Sequence, residues 1–207
     1  RTVRARASVN AAGPWVEKAL GRIDGVRSSK RVRLVKGSHI IVRKFWEGPH
    51  AYVVQHTDRR ILFINPYLDD LALIGTTDIP YDGAAEKVRA DETEITYLID
   101  AVNRYFTQTL RREDVLESFS GVRPLYDDGA GNPSAVTRDY VFDLDERGGA
   151  PLLNIFGGKI TTYRRLAESM LEKIEAVLGA RGTPSTAGPT LPVGDFDRNG
   201  YDPLLTK

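Results

Sequence analysis

The chain has 207 residues, enough for one or two domains around a sizeable core, and its 41% hydrophobic and 28% charged residues match those of globular proteins. A net charge of +1 gives no electrostatic reason to expect nucleic acid or an acidic membrane surface as a partner. Cysteine is absent, which excludes disulfides, thiolate metal sites and a catalytic thiol within the chain; His39, His50 and His56 lack metal-ligand spacing, and no apolar run approaches the roughly 20 residues of a membrane-spanning helix.

In chain order, Val3 to Val9 alternates apolar residues with Arg and Ser at a period of two, a strand pattern without a start signal, and the sequence reads as cut from a longer protein. After Asn10-Ala11-Ala12-Gly13-Pro14, residues Trp15, Val16, Ala19 and Leu20 share one face of a short helix that Pro14 opens and Gly21 closes. Leu34-Val35 leads through Lys36-Gly37-Ser38-His39 into strand-like Ile40 to Val42. Ala51 to Gln55, Arg60 to Pro66 and Leu71 to Ile74 follow, and short strands in such close succession predict an antiparallel sheet. Asp91 with Glu94 makes a capping-box start for a helix predicted to run to Arg111. Val115 to Phe119 is strand-like and meets Ser120-Gly121-Val122-Arg123-Pro124-Leu125; Tyr140 to Leu144 is strand-like after Arg138-Asp139.

The most informative run is Ile155 to Ala167. A buried strand ends at Gly157-Gly158, then Lys159, Thr161 and Thr162 lead into a helical pattern. Backbone N–H groups at such a helix start, with the positive end of its dipole and the Lys159 ammonium, favour an anionic or electron-rich ligand. An ordinary strand-to-helix turn with Thr as its cap is the equally simple structural reading. From Gly179 the chain is rich in Gly, Pro, Ser and Thr and reads as a linker.

Arg123, Arg138 and Lys159 fall in turn-like settings beside strands. Arg grips phosphate or carboxylate through a planar fork and Lys supplies a point charge. Each alone reads as readily as a surface residue; convergence in one cleft would decide. His39 is a candidate general base for a hydroxyl-bearing substrate, because an unperturbed imidazole titrates near pH 6.5; a partly buried structural histidine is the alternative. Thr76 and Thr77 can orient a ligand or cap the turn before Asp78.

Taken together, VNAAGPW (Val9 to Trp15), KGSH (Lys36 to His39), IGTTD (Ile74 to Asp78), SGVRPL (Ser120 to Leu125), TRDY (Thr137 to Tyr140) and FGGKITTYR (Phe156 to Arg164) resemble the FAD-dependent glycerol-3-phosphate dehydrogenases, in that family's order and across nearly the whole chain. The resemblance implies an α+β fold similar to D-amino-acid oxidase, with an antiparallel substrate-domain sheet and helices interleaved with tail pieces of a Rossmann-type FAD domain. Residues 1–30 and 150–180 would be FAD-domain pieces, 31–149 the substrate domain and 181–207 a linker to a C-terminal domain. The family's glycine fingerprint is not in the sequence, so the chain by itself is expected to lack bound FAD and activity.

The implied reaction is oxidation of sn-glycerol 3-phosphate to dihydroxyacetone phosphate, with hydride passing to FAD and electrons to quinone. A peripheral position on the inner face of the cytoplasmic membrane is typical of the family. By the same resemblance, Arg123, Arg138 and Lys159 hold substrate oxygens, Thr76 is a polar contact and His39 the base. Ala12, Gly13, Trp15, Gly158, Lys159, Thr161 and Thr162 line the flavin. An oxygen-using glycerol-3-phosphate oxidase and a non-catalytic binding module are the competing readings.

Overall fold

The computed structural model describes residues 2, 4–26, 28–127, 129, 139–147, 149–180, 182–190 and 194. Among them the strands are Ser8–Asn10 (β1), Val32–Arg43 (β2), Tyr52–Gln55 (β3), Ile61–Tyr67 (β4), Leu71–Gly75 (β5), Ile79–Pro80 (β6), Val115–Tyr126 (β7), Tyr140–Asp145 (β8) and Leu152–Gly157 (β9). The helices are Val16–Leu20 (α1), Glu92–Asn103 (α2) and Tyr163–Leu178 (α3). The chain divides into two compact units, residues 1–159 and 160–207.

The larger sheet of the first unit is built on β2. One edge of β2 pairs antiparallel with β5 and, further along, with β6, and the other edge pairs with β7 from Val32↔Tyr126 to Val42↔Val115. The strands β4 and β3 extend the sheet beyond β5. Side chains alternate across a strand, so Ile40 and Val42 face α2, where they pack with Ile95, Leu98, Ile99 and Val102. Val35, Gly37, His39 and Ile41 face the opposite way.

Two glycine-bearing motifs lie inside these strands rather than at their ends. Lys36-Gly37-Ser38-His39 is mid-β2 and not a strand entry, and Arg123 sits within β7 and not in a turn. The long β2–β7 ladder supplies a partner at every one of these positions and overrides the local Gly and Pro signal. Pro124 is tolerated because β7 pairs, among the described residues, with β2 alone on this sheet.

The predicted start of α2 holds: Asp91 accepts from the Glu94 backbone at 3.0 Å, and Glu94 accepts from the Asp91 backbone at 3.2 Å. Its predicted end does not. The helix stops at Asn103 instead of Arg111, because the Asn103 side chain bonds both the carbonyl and the N–H of Leu110, at 2.9 and 2.7 Å. Phe106 and Leu110 thereby reach the α2 core from a loop, with Phe106 edge-on to Phe45 and Tyr52. The apolar spacing was real, but it served a folded-back chain.

The smaller sheet has the order β1-β9-β8, with β1 parallel to β9 and β8 antiparallel to it. Val16 and Leu20 of α1 pack on Leu152 and Phe156. Tyr140–Asp145 pairs antiparallel with Leu152–Gly157, the strand that leads into Gly157-Gly158, so β8 belongs to the smaller sheet. Asn10 and Asn154, opposite each other in register, join through a 3.0 Å amide bond. Of the strand expected over Val3 to Val9, Ser8 and Val9 lie in β1, while residues 4–7 are described and belong to no strand.

In the second unit, a 3-10 turn at Ile160–Thr162 runs into the sixteen-residue α3. The N-cap position is Thr162, whose side chain makes no capping hydrogen bond. Arg164 and Arg165 converge on Glu168 at 3.0 and 2.9 Å.

Candidate active site

Period-two alternation on β2 and β7 places Gly37, His39, Phe119, Gly121 and Arg123 on one sheet face, with Gly37 opposite Gly121 and His39 opposite Phe119. With Thr76, which follows β5, they line an open cleft of about 280 Å³. Three expected substrate contacts, His39, Thr76 and Arg123, thus meet in one place.

Arg123 is held rather than loose. Its guanidinium donates to Asp78 Oδ1 at 2.6 Å and to the Thr77 carbonyl at 3.3 Å. A Cβ on Gly37 would lie 2.5 Å from Thr76 Oγ1 and 3.4 Å from the Arg123 guanidinium. Glycine is required there because both polar groups lie across it.

His39 is sandwiched. Its ring stacks on Phe119 with centroids 5.1 Å apart and planes 10° from parallel. A side chain at Gly75, on the adjacent strand, would overlap the same ring. Nδ1 is buried without a hydrogen-bond partner, so Nε2 is the ring nitrogen open to a ligand. Burial, and then the nearby Arg123 charge, push the His39 pKa below its ordinary value of 6.5. Both influences disfavour the imidazolium form.

The other face of this floor carries a buried polar network. Glu94, 1% exposed, takes an ion pair from Lys36 at 2.6 Å and hydrogen bonds from the Ser38 and Thr77 hydroxyls, each at 2.7 Å. Ser38 and Ser120 join across β2 and β7 at 2.6 Å. Burial lowers Lys36, but its bonds to Glu94 and Asp91 outweigh burial and hold the ammonium above its ordinary range. Thr77, tied to Glu94 through its hydroxyl, is the residue whose carbonyl accepts from Arg123, and Asp78 follows it.

The remaining predicted residues lie elsewhere. Ala12 and Gly13 leave the carboxyl end of β1; Gly158 and Lys159 leave that of β9, its parallel neighbour, so both exits open at the same end of the small sheet. In open parallel sheets, ligands bind outside such strand ends. Trp15 donates its indole N–H to Glu86 at 3.0 Å and lines a shallow hollow with Lys18, Ala19 and Arg22. Lys159 is exposed and is not among the residues lining the cleft. Thr161 and Thr162 belong to the second unit, and Arg138 lies outside the described residues.

Asp78, Phe119, Gly37, Gly75 and Gly121 were not singled out in sequence, although all but Phe119 stand inside the motifs quoted. The alternation Phe119, Gly121, Arg123, which declares a single strand face, is the signal that would have found Phe119 and Gly121; Asp78, Gly37 and Gly75 meet that face only through long-range contacts.

A parallel strand pair with glycine-rich exits and an antiparallel sheet whose face carries a cationic cleft give a two-part α+β architecture. Residues 1–164 match the model of the FAD dependent oxidoreductase (DAO) family, and the chain belongs to that family. It is 62% identical over 202 residues to D-erythritol 1-phosphate dehydrogenase of Brucella abortus, covering 98% of this chain and 40% of that protein. It is 50% identical to glycerol-3-phosphate dehydrogenase of Pseudomonas aeruginosa (94% and 38% covered) and 44% identical to aerobic glycerol-3-phosphate dehydrogenase of Escherichia coli (99% and 41%). The chain thus spans about two fifths of the length of these relatives. Among solved structures, glycerol-3-phosphate dehydrogenase of Bacillus halodurans complexed with FAD superposes with a TM-score of 0.73 at 29% identity, over 90% of this chain and 35% of that one. Glycine oxidase of Bacillus cereus shares the fold alone, with a TM-score of 0.52 at 17% identity over 87% of this chain and 45% of that one.

The residues at the β1 exit fit FAD. A Cβ on Gly13, whose φ is +53°, would meet nothing within 4 Å, so the backbone there is open to the close approach a dinucleotide needs.

Proposed function

We propose that this chain contributes the substrate cleft of an FAD-dependent dehydrogenase acting on a small polyol phosphate. Both glycerol 3-phosphate and D-erythritol 1-phosphate belong to this class, and the 62% identity to a D-erythritol 1-phosphate dehydrogenase makes the four-carbon ester the first substrate to try. The observation that carries the reading is the pairing, in one cleft, of a guanidinium anchored on Asp78 with an imidazole stacked on Phe119.

Oxidising a carbinol to a ketone removes a hydride from carbon and a proton from oxygen. FAD, when bound, supplies the hydride acceptor. Arg123 presents its fork to the phosphate, and its bond to Asp78 fixes the orientation before substrate arrives. His39 Nε2 hydrogen-bonds the substrate hydroxyl and takes its proton as the hydride leaves. Because burial and the Arg123 charge disfavour the imidazolium, the ring gives that proton up from the same Nε2 to solvent through the open cleft once the ketone has left. Thr76 borders the path between them. By the motif resemblance Arg138 and Lys159 also hold substrate oxygens, with Lys159 beside the flavin and Ala12, Gly13, Trp15 and Gly158 along it. Quinone as electron acceptor and a peripheral place on the inner membrane face rest on the motif resemblance. The division into FAD-domain pieces over residues 1–30 and 150–180 flanking a substrate domain over 31–149 has the same support.

The test is Arg123→Met in the full-length flavoprotein. Removing a charge-assisted phosphate contact should lower kcat/KM for the phosphorylated polyol by roughly a hundredfold, while flavin content stays unchanged. Unaltered kcat/KM would refute the reading.

A further inference from the structure

Three glycines lie on the cleft face, and they are not equivalent. At Gly75 the His39 ring covers the backbone. At Gly37 the Thr76 hydroxyl and the Arg123 guanidinium cover it. At Gly121 a Cβ would meet nothing within 4 Å, although this residue lines the cleft and faces Gly37 across the ladder.

Its neighbours on the same face are Phe119, stacked on His39, and Arg123, each two residues and roughly 7 Å away along the strand. Gly121 is thus bare backbone between the imidazole and the guanidinium. A ligand that offers a phosphate to Arg123 and a hydroxyl to His39 must pass its carbon chain over this point. We propose that Gly121 is the seat of that carbon chain and a specificity-determining position, where any side chain competes with the polyol skeleton. The proposal rests on the polyol-phosphate reading above.

The backbone at Gly121 does not adopt the left-handed conformation and its surroundings are open, so alanine introduces neither strain nor clash in the unliganded protein. Any effect must come from what binds there. The experiment compares wild type, Gly121→Ala and Gly121→Val of the full-length flavoprotein, with D-erythritol 1-phosphate and glycerol 3-phosphate as substrates and inorganic phosphate as a competitive probe of Arg123. The expected result is a KM raised about tenfold by alanine and further by valine, with phosphate inhibition changed by less than about twofold and flavin content unchanged.

Unchanged KM values in both variants would overturn the proposal. So would a parallel weakening of phosphate inhibition, which would mean that the methyl acts by displacing Arg123. Loss of flavin from the alanine variant would put the cofactor over Gly121 and overturn it as well. Wild-type protein that turns over neither ester would instead sink the functional reading, and this inference with it.

Discussion

His39 shows how environment sets a residue's chemistry. Stacked on Phe119, with Nδ1 sealed in, the ring resists a second proton. Its pKa falls below 6.5 through burial first and the Arg123 charge second. The unfolded chain then binds a proton at this site at a higher pH than the folded chain does, so stability rises with pH between the folded value and 6.5 and is lost as pH falls through that window. The acid limb of kcat/KM should lie below pH 6.5, disappear in His39→Asn and move upward in Arg123→Met, where one of the two causes is removed. A limb at or above 6.5 in wild type, or one unmoved by Arg123→Met, would contradict this assignment. The sequence made His39 and Arg123 visible because both stand in recognisable motifs. It hid Asp78 as the anchor of Arg123, since that pairing joins residues 45 apart along the chain.

Among the elements, β2, β7 and α2 build the floor of the cleft together. Glu94 reads in sequence as half of a capping box, which it is, yet its second task is the larger. It neutralises the buried Lys36 and fixes the hydroxyls of Ser38 and Thr77 beneath the cleft. Glu94→Ala would leave the Lys36 ammonium, 8% exposed, without its nearest counter-charge. The expected cost is about 3–5 kcal/mol of unfolding free energy, read by denaturant titration; Asp91, at 3.1 Å, offsets part of it. A loss below about 1 kcal/mol, the range of exposed pairs, would show that the network is solvated. The capping box was legible because it is local. The ion pair was not, because Lys36 lies 58 residues earlier and meets α2 only when β2 is in place. For the same reason Gly37 and Gly121 suggested breaks: each is a poor strand residue alone, and their cross-strand register, with Thr76 and Arg123 lying across Gly37, is seen only in the folded sheet.

For the molecule as a whole, the antiparallel sheet was readable from short strands in close succession and the α+β fold followed from the motif resemblance, but the parallel pairing of β1 with β9, 144 residues apart at Asn10 and Asn154, was not. The assignment of Tyr140–Asp145 to the smaller sheet was not, because short-range pattern marks a strand without naming its partner. The two sheets do different work. The smaller one offers the open backbone of Gly13 at a parallel strand end, and the larger one offers Arg123 and His39 on one face. Under the proposed function the larger sheet meets both the phosphate, through Arg123, and the carbinol, through His39, while the smaller sheet receives the flavin. Anaerobic mixing of the full-length yellow protein with D-erythritol 1-phosphate or glycerol 3-phosphate tests it most directly, with erythritol and glycerol as controls. The phosphate esters should bleach the flavin absorbance and the free polyols should not. Flavin that keeps its colour with both esters, or is bleached equally by the unphosphorylated polyols, would contradict a cleft built to grip phosphate.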